Sequence, residues 1–522
     1  MSKILWLLFQ LLLILLCCPT VFGDSYPLWG DLQAGPHPVG FTARFEYDNS
    51  RVFRAKYNAD GKLYAGNRAR PIQIAIWYPA EKTTQNHMRF EEYAYLLAQE
   101  LDFSPLTPEK KQEAGRNFFR LRGVTAAFSD QTMKTFLEEK AFPARDATQA
   151  KGKFPLIIYA PGSSGAAIEN TVLCEYLASH GYIVAALPSM GAYERSASVD
   201  LTGFYAYMQD IEFVIGFMHR FPNVDPNALG IAGFSMGGSA ATLVQMRNFD
   251  VDAVVYLDTG IVYDVVEDWF RPSNYYNKAD LRAAQLYFVR KDVDGLNLKR
   301  LDAAPFAETY VMLSEKGYRH VDFISYGLLA GVINPKAADK TKDARRLYQL
   351  VCESANDFFD AYVKHDSSKR KALDTALSES AESSVFTASY RAAAGAPPRE
   401  FELMQIIRDG NLAEAKSLMQ KYSDHSLFRE ATLNNLGYEF LFRGDTKKAI
   451  AILDLNAQTF PQSANAQDSL SEAYEAAGDA DKSLAHAKRA IELLNADTVM
   501  EASRKQQIQQ ALEQRMKKLK NM

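Results

Sequence analysis

The chain has 522 residues, 47% of them hydrophobic and 23% charged, with a formal net charge of -4. This is a globular composition and too long for one ordinary core, so two or three domains are expected. The small negative balance offers nothing to a polyanion, and no nucleic-acid partner is expected.

Residues 1–23 read as an export signal: Lys3 gives a positive start, Ile4 to Leu16 an apolar run, and Val21-Phe22-Gly23 a small-residue exit before Asp24. The run is short for a bilayer span, so the expectation is an exported chain, periplasmic or secreted, cleaved near Gly23. An uncleaved anchor is the minor alternative. Lipidation at Cys17 or Cys18 is another, but Leu16 stands where a lipoprotein signal usually has Gly or Ala. Cys174 and Cys352 lie in apolar helical surroundings and are expected as buried free thiols.

Phe41 to Pro79 reads as β-structure, with Asp60-Gly61 as a tight turn and Ile72 to Tyr78 as a strand closed by Pro79. Between about 85 and 145 the period becomes helical, through Tyr93, Leu96, Leu97, Leu101, Phe118, Phe119, Met133, Phe136 and Leu137. A helical, lid-like insertion is predicted, whose aromatic residues either meet an apolar substrate or pack the insertion's own core. From Pro155 onward apolar strands alternate with helices, the pattern of a parallel sheet covered on both faces. Active sites of such sheets lie at the carboxyl ends of the strands.

Those strand ends carry the chemistry. Leu229 to Ala232 is strand-like, Gly233-Phe-Ser-Met-Gly237 is a GxSxG turn, and a helical pattern starts at Ser239. Gly233, Gly237 and Gly238 lack the Cβ atoms that would keep strand and helix apart, and Ser235 stands at the apex. Pro155 to Ala160 runs into Pro161-Gly-Ser-Ser-Gly165, so the backbone N–H groups of Ser163 and Met236 are candidates for an oxyanion hole. Asp258 and Asp292 each follow a strand and either could orient a histidine. His320 follows a late strand, Tyr310 to Ser314, after both serine and acid, as the chain order Ser, Asp, His requires. In such a set an imidazole takes the serine proton, and a carboxylate holds the imidazole's tautomer and its charged form.

Over residues 33–365 the chain resembles the serine hydrolases of the platelet-activating-factor acetylhydrolase and dienelactone-hydrolase-like group. The resemblance is carried by Gly40-Phe41, Arg70 to Ala80, Phe154 to Gly162, Leu177 to Ala186, Gly233 to Gly238, Leu257-Asp258 and Gly317 to His320. It implies an α/β-hydrolase fold and cleavage of a short-chain acyl or acetyl ester, with a lipid-like ester as one option, with Ser235 as nucleophile, His320 as base and Asp258 ranked before Asp292 as acid. Pro161-Gly162 stands where the group commonly has His-Gly, and Phe234 where His often precedes the nucleophile. A peptidase or a polysaccharide deacetylase would use the same three residue types.

Residues 379–400 read as a linker, which gives a hydrolase region over 24–378 and a helical region over 401–522. The latter repeats at 34 residues: Gly410, Gly444 and Gly478 are in register, as are Ala415, Ala449 and Ser483. This resembles tetratricopeptide repeats, which present a groove to a peptide or protein. The last helix has Ile508, Leu512, Met516 and Leu519 on one face, with Lys505, Arg515, Lys517 and Lys518 outside, as a solvated cap or a basic membrane-surface helix. From a different class comes a binding protein whose hydrolase region is a degenerate scaffold. No cofactor is implied, and neither an HExxH helix nor a complete calcium loop is present to suggest a metal.

Overall fold

A computed structural model describes residues 26–82, 86–120, 128–333, 338–371, 373, 385–422, 429–496 and 502–520. The expected export signal lies outside these residues. Among the described residues no helix is long and apolar enough to cross a membrane. The chain divides into two compact units, Met1–Ala394 and Gly395–Met522.

The first unit is built on an eleven-stranded sheet. Its strands are β1 (Val39–Val52), β2 (Ala69–Pro79), β3 (His87–Arg89), β4 (Lys140–Arg145), β5 (Phe154–Ala160), β6 (Ile183–Ala186), β7 (Val224–Phe234), β8 (Val251–Leu257), β9 (Ala284–Arg290), β10 (Thr309–Ser314) and β11 (Phe386–Arg391). Their order across the sheet is β11-β10-β9-β8-β7-β5-β6-β2-β1-β4-β3. From β6 to β10 all neighbours are parallel, while β2 runs antiparallel to both β1 and β6.

Alternation of side chains explains why both faces are covered. On β5, Ile157 and Tyr159 enter one core, with the helices Thr171–Ser179 and Ala338–Tyr362, while Leu156 and Ile158 enter a second. That second core holds the helices Leu201–Met218 and Met236–Arg247. β8 divides in the same way, Val255 and Leu257 against Val254 and Tyr256. A strand buried on both sides must be apolar at every position, so its sequence reads as a continuous run. Cys174 and Cys352 are buried free thiols in the first core.

Two expected boundaries are corrected. The insertion is not wholly helical: β3 and β4 lie at its ends, and β4 pairs in parallel with β1. Between them come the helices Phe90–Leu96, Pro108–Phe118 and Asp130–Leu137. Phe90, Tyr93, Phe118, Phe119 and Phe136 join the first core beside Trp77, so this segment widens the sheet and its core. The expected linker contains β11, which pairs antiparallel with β10 from Ser314↔Phe386 to Thr309↔Arg391. Only Phe386 of its six residues is buried, because it is an edge, so Ser- and Ala-rich flanks dominated the sequence pattern.

The second unit is all helical. The hairpins Glu400–Arg408 with Leu412–Lys421, Glu430–Phe442 with Thr446–Thr459, and Ala464–Ala476 with Ala480–Ala496 precede a last helix, Ala502–Lys520. Gly410, Gly444 and Gly478 turn the hairpins at φ of 92°, 83° and 79°, a region open to glycine at no steric cost. Arg515, expected outside, is corrected: its side chain is only 12% exposed and is ion-paired with Asp468, Glu472 and Glu475. Leu512, three residues before it, is buried against Ala487 and Ala490.

Candidate active site

Ser235 follows β7 and precedes the helix Met236–Arg247, with φ 52° and ψ -124°. A non-glycine residue there is strained, typically by about 1–3 kcal/mol, and must be held by its surroundings. The holding contacts are visible. Ser235 N–H donates to Leu257 O at 3.1 Å, and its carbonyl accepts from the Thr259 hydroxyl at 2.5 Å.

The glycines of the turn are required by contact. A Cβ on Gly237 would stand 2.0 Å from Ala160 O, and one on Gly233 would stand 2.4 Å from the Gly238 Cα. One on Gly238 would meet the Thr259 methyl at 2.2 Å. Backbone from β5, β7 and the helix meets here with no room for a side chain.

Asp258 follows β8, also at positive φ, 50°, with its N–H bonded to Phe288 O at 2.7 Å. Its carboxylate is 1% exposed and accepts four bonds. Tyr263 hydroxyl (2.6 Å) and Arg290 N–H (3.2 Å) reach Oδ1, while His320 Nδ1 (2.5 Å) and Arg290 Nε (2.6 Å) reach Oδ2. Burial by itself would raise this carboxyl, but the bond and charge of His320, then Tyr263 and Arg290, outweigh it and hold the group below the ordinary carboxylate range. His320 opens a short turn after β10, its side chain 38% exposed and its ring 4.4 Å from that of Phe234. Asp292 stands exposed in the turn beyond β9. The imidazole is therefore oriented by Asp258, with Arg290 sharing the same oxygen.

The Pro161–Gly165 loop is likewise strained, Ser164 having φ 53°. Glu169 Oε1 accepts from Gly162 N–H at 2.8 Å and from Tyr159 hydroxyl at 3.1 Å, tying the loop to β5 and to the turn before the helix Thr171–Ser179. From the other side Arg195 donates to the carbonyls of Ser164 (3.3 Å), Gly165 (3.2 Å) and Ser189 (2.9 Å) while its Nη2 meets Glu100 at 2.9 Å. Glu100 belongs to the insertion. Burial raises its carboxyl and Arg195 opposes that. The insertion thus reaches the candidate oxyanion loop through one ion pair.

Ser163, Ser235, Met236 and Asp258 line one cavity of about 220 Å³, together with Val199, Tyr263, Val265, Val266, Trp269, Arg290 and Val293. Met236 is the first residue of its helix, where the N–H has no intrahelical acceptor and the helix dipole favours negative charge. Strand ends, two strained turns and a helix N-terminus therefore converge on Ser235. Glu100, Glu169, Arg195, Tyr263 and Arg290 were not singled out from the sequence. Tyr263 and Arg290 carry a signal in retrospect, since both sit within a turn of the strand ends that matter.

A mostly parallel sheet whose second strand is antiparallel, helices on both faces and a serine on a strand-to-helix turn after β7, in the middle of the parallel run, define the α/β-hydrolase fold. The chain has that fold, followed by an all-helical region. No protein-family model matches the chain, and no curated protein matches its sequence. Among solved structures it is similar to a ferulic acid esterase from Streptomyces cinnamoneus, at 16% identity and a TM-score of 0.46, over 69% of this chain and 98% of that one.

Proposed function

We propose that the protein is a serine hydrolase that cleaves a carboxylic ester through Ser235, His320 and Asp258. The observation that carries this is the 2.5 Å bond from His320 Nδ1 to the buried Asp258 carboxylate, at strand ends beside a cavity that Ser235 lines. With Nδ1 committed to Asp258, Nε2 is left to take a proton. Ser235 Oγ attacks the ester carbonyl carbon, its proton passes to His320, and the carbonyl oxygen becomes an anion received by the N–H groups of Met236 and Ser163. The carbon–alkoxy bond then breaks, His320 returns the proton to the departing alcohol, and an acyl group remains on Ser235. Water, deprotonated by His320, releases the acid and restores the serine.

Export rests on residues 1–23 alone, and the 34-residue helical repeat supports a tetratricopeptide-like array with a peptide or protein as its partner. The catalytic proposal is tested by a fluorophosphonate probe. Label is expected on Ser235, located by peptide mass spectrometry, and absent from Ser235→Ala. An unlabelled, folded wild type would remove the activated serine and with it this function.

A further inference from the structure

We infer that the cavity beside Ser235 receives the acyl half of the ester, and that this acyl group is apolar and of medium length, roughly six to eight carbons. The inference rests on the hydrolase mechanism and goes further, since the family resemblance implies an acetyl or short acyl group.

Which half enters follows from the walls. The carbonyl carbon has three directions in the tetrahedral state besides its bond to Ser235. The oxyanion points to Met236 and Ser163, and the leaving oxygen must point to His320, which returns its proton. The cavity wall contains Ser235, Met236 and Ser163, but His320 is not part of it. The direction left over is that of the acyl chain.

The acyl chemistry follows from the lining. Val265, Val266 and Trp269 come from the helix Asp264–Phe270, and Val199 and Val293 from loops. Val266 is 3% exposed and Tyr263 8%, so they form the floor, while Val199 at 44% and Val265 at 49% stand at the rim with apolar surface open to water. The one cation in the wall, Arg290, is ion-paired through Nε with the Asp258 carboxylate at 2.6 Å, so its charge is already largely offset and the wall offers an acyl carboxylate little net attraction. A dry cavity of about 150 Å³ holds a benzene-sized ligand, so about 220 Å³ suits a somewhat longer chain, and an acetyl methyl would leave most of it unfilled.

The test is kcat/KM for p-nitrophenyl esters from acetate to dodecanoate, with the full-length chain and with Val265→Trp. In the wild type each added methylene is expected to raise kcat/KM by about fourfold up to six to eight carbons, after which it falls. Val265→Trp narrows the rim at a half-exposed position, and the ratio of hexanoate to acetate should fall at least about tenfold. Fluorophosphonate labelling of Ser235 in both proteins separates the two levels. If Ser235 labels and acetate is the best ester, or the ratio is unmoved by Val265→Trp, the acyl assignment is wrong while the hydrolase stands. If Ser235 does not label in the wild type, both fall together.

Discussion

Asp258 accepts bonds from a guanidinium and an imidazole on one oxygen, and this makes it the residue on which the site turns. Arg290 at 2.6 Å and His320 at 2.5 Å both approach Oδ2, so the carboxylate is kept ionised by charge and at the same time holds the imidazole by its Nδ1. Replacing it by asparagine keeps the size but lets the amide favour the wrong tautomer of His320. Asp258→Asn is expected to lower kcat by about ten-thousandfold, whereas Asp292→Asn should change it by less than about threefold. Ester turnover by the two variants, with melting curves to show that both are folded, decides between the acids. The strand ends that precede Ser235, Asp258 and His320 were legible because apolar runs stop there. Arg290 was not, since an arginine that closes a strand looks the same whether it faces water or a carboxylate.

At the level of elements, the insertion between β2 and β5 depends on a buried acid. Glu175, on the helix Thr171–Ser179, accepts from Trp29 Nε1 at 2.7 Å and from Tyr93 hydroxyl at 2.8 Å, and Tyr93 in turn accepts from Trp77 Nε1 at 2.7 Å. Burial pushes its carboxyl up from 4.5 to about 7, more than those two donors pull it down. The folded protein therefore binds this proton more tightly than the unfolded chain does. The stabilisation is complete below about 4.5 and is lost as pH rises towards 7, on the order of 3 kcal/mol across that window. Glu175→Gln is expected to flatten this decline, read as melting temperature against pH between 4.5 and 7.5. An unchanged slope in the variant would mean that other groups set it. The insertion's helices were legible from their period, but β3 and β4 were not, being three and six residues long. Such short strands exist because β1 offers an edge, and an edge is not a local property.

Across the whole molecule, β11 closes what would otherwise be an open sheet edge at β10. Phe386 is 1% exposed, with its ring 5.6 Å from that of Phe288, and Tyr390 lies 4.8 Å from Tyr310. Arg391 bonds Ala304 O at 2.8 Å, and Ala394 N–H bonds Pro305 O at 2.7 Å, so the first unit is tied down to its last residues. A chain ending at residue 394 is expected to fold, and one ending at residue 378 to lose at least about 3 kcal/mol through the missing aromatic ring and to aggregate through the bare edge. Urea unfolding and light scattering of the two chains measure both effects. Equal stability would show that β11 contributes little.

What the sequence by itself determined is the local order: continuous apolar runs for strands buried on both faces, the serine turn with its crowded glycines, and the 34-residue spacing of Gly410, Gly444 and Gly478. Each of these is a short-range constraint, written in neighbouring residues by side-chain period or by the need for a missing Cβ. Only the tertiary structure decided which carboxylate meets His320, that Arg290 shares its oxygen, that Glu100 reaches the Pro161–Gly165 loop through Arg195, and that β11 completes the sheet. These are pairings between side chains and edges 32 to 95 positions apart. Nothing local distinguishes a charged side chain that will be buried against a distant partner from one that will stay in water; the fold makes that choice by bringing the partner.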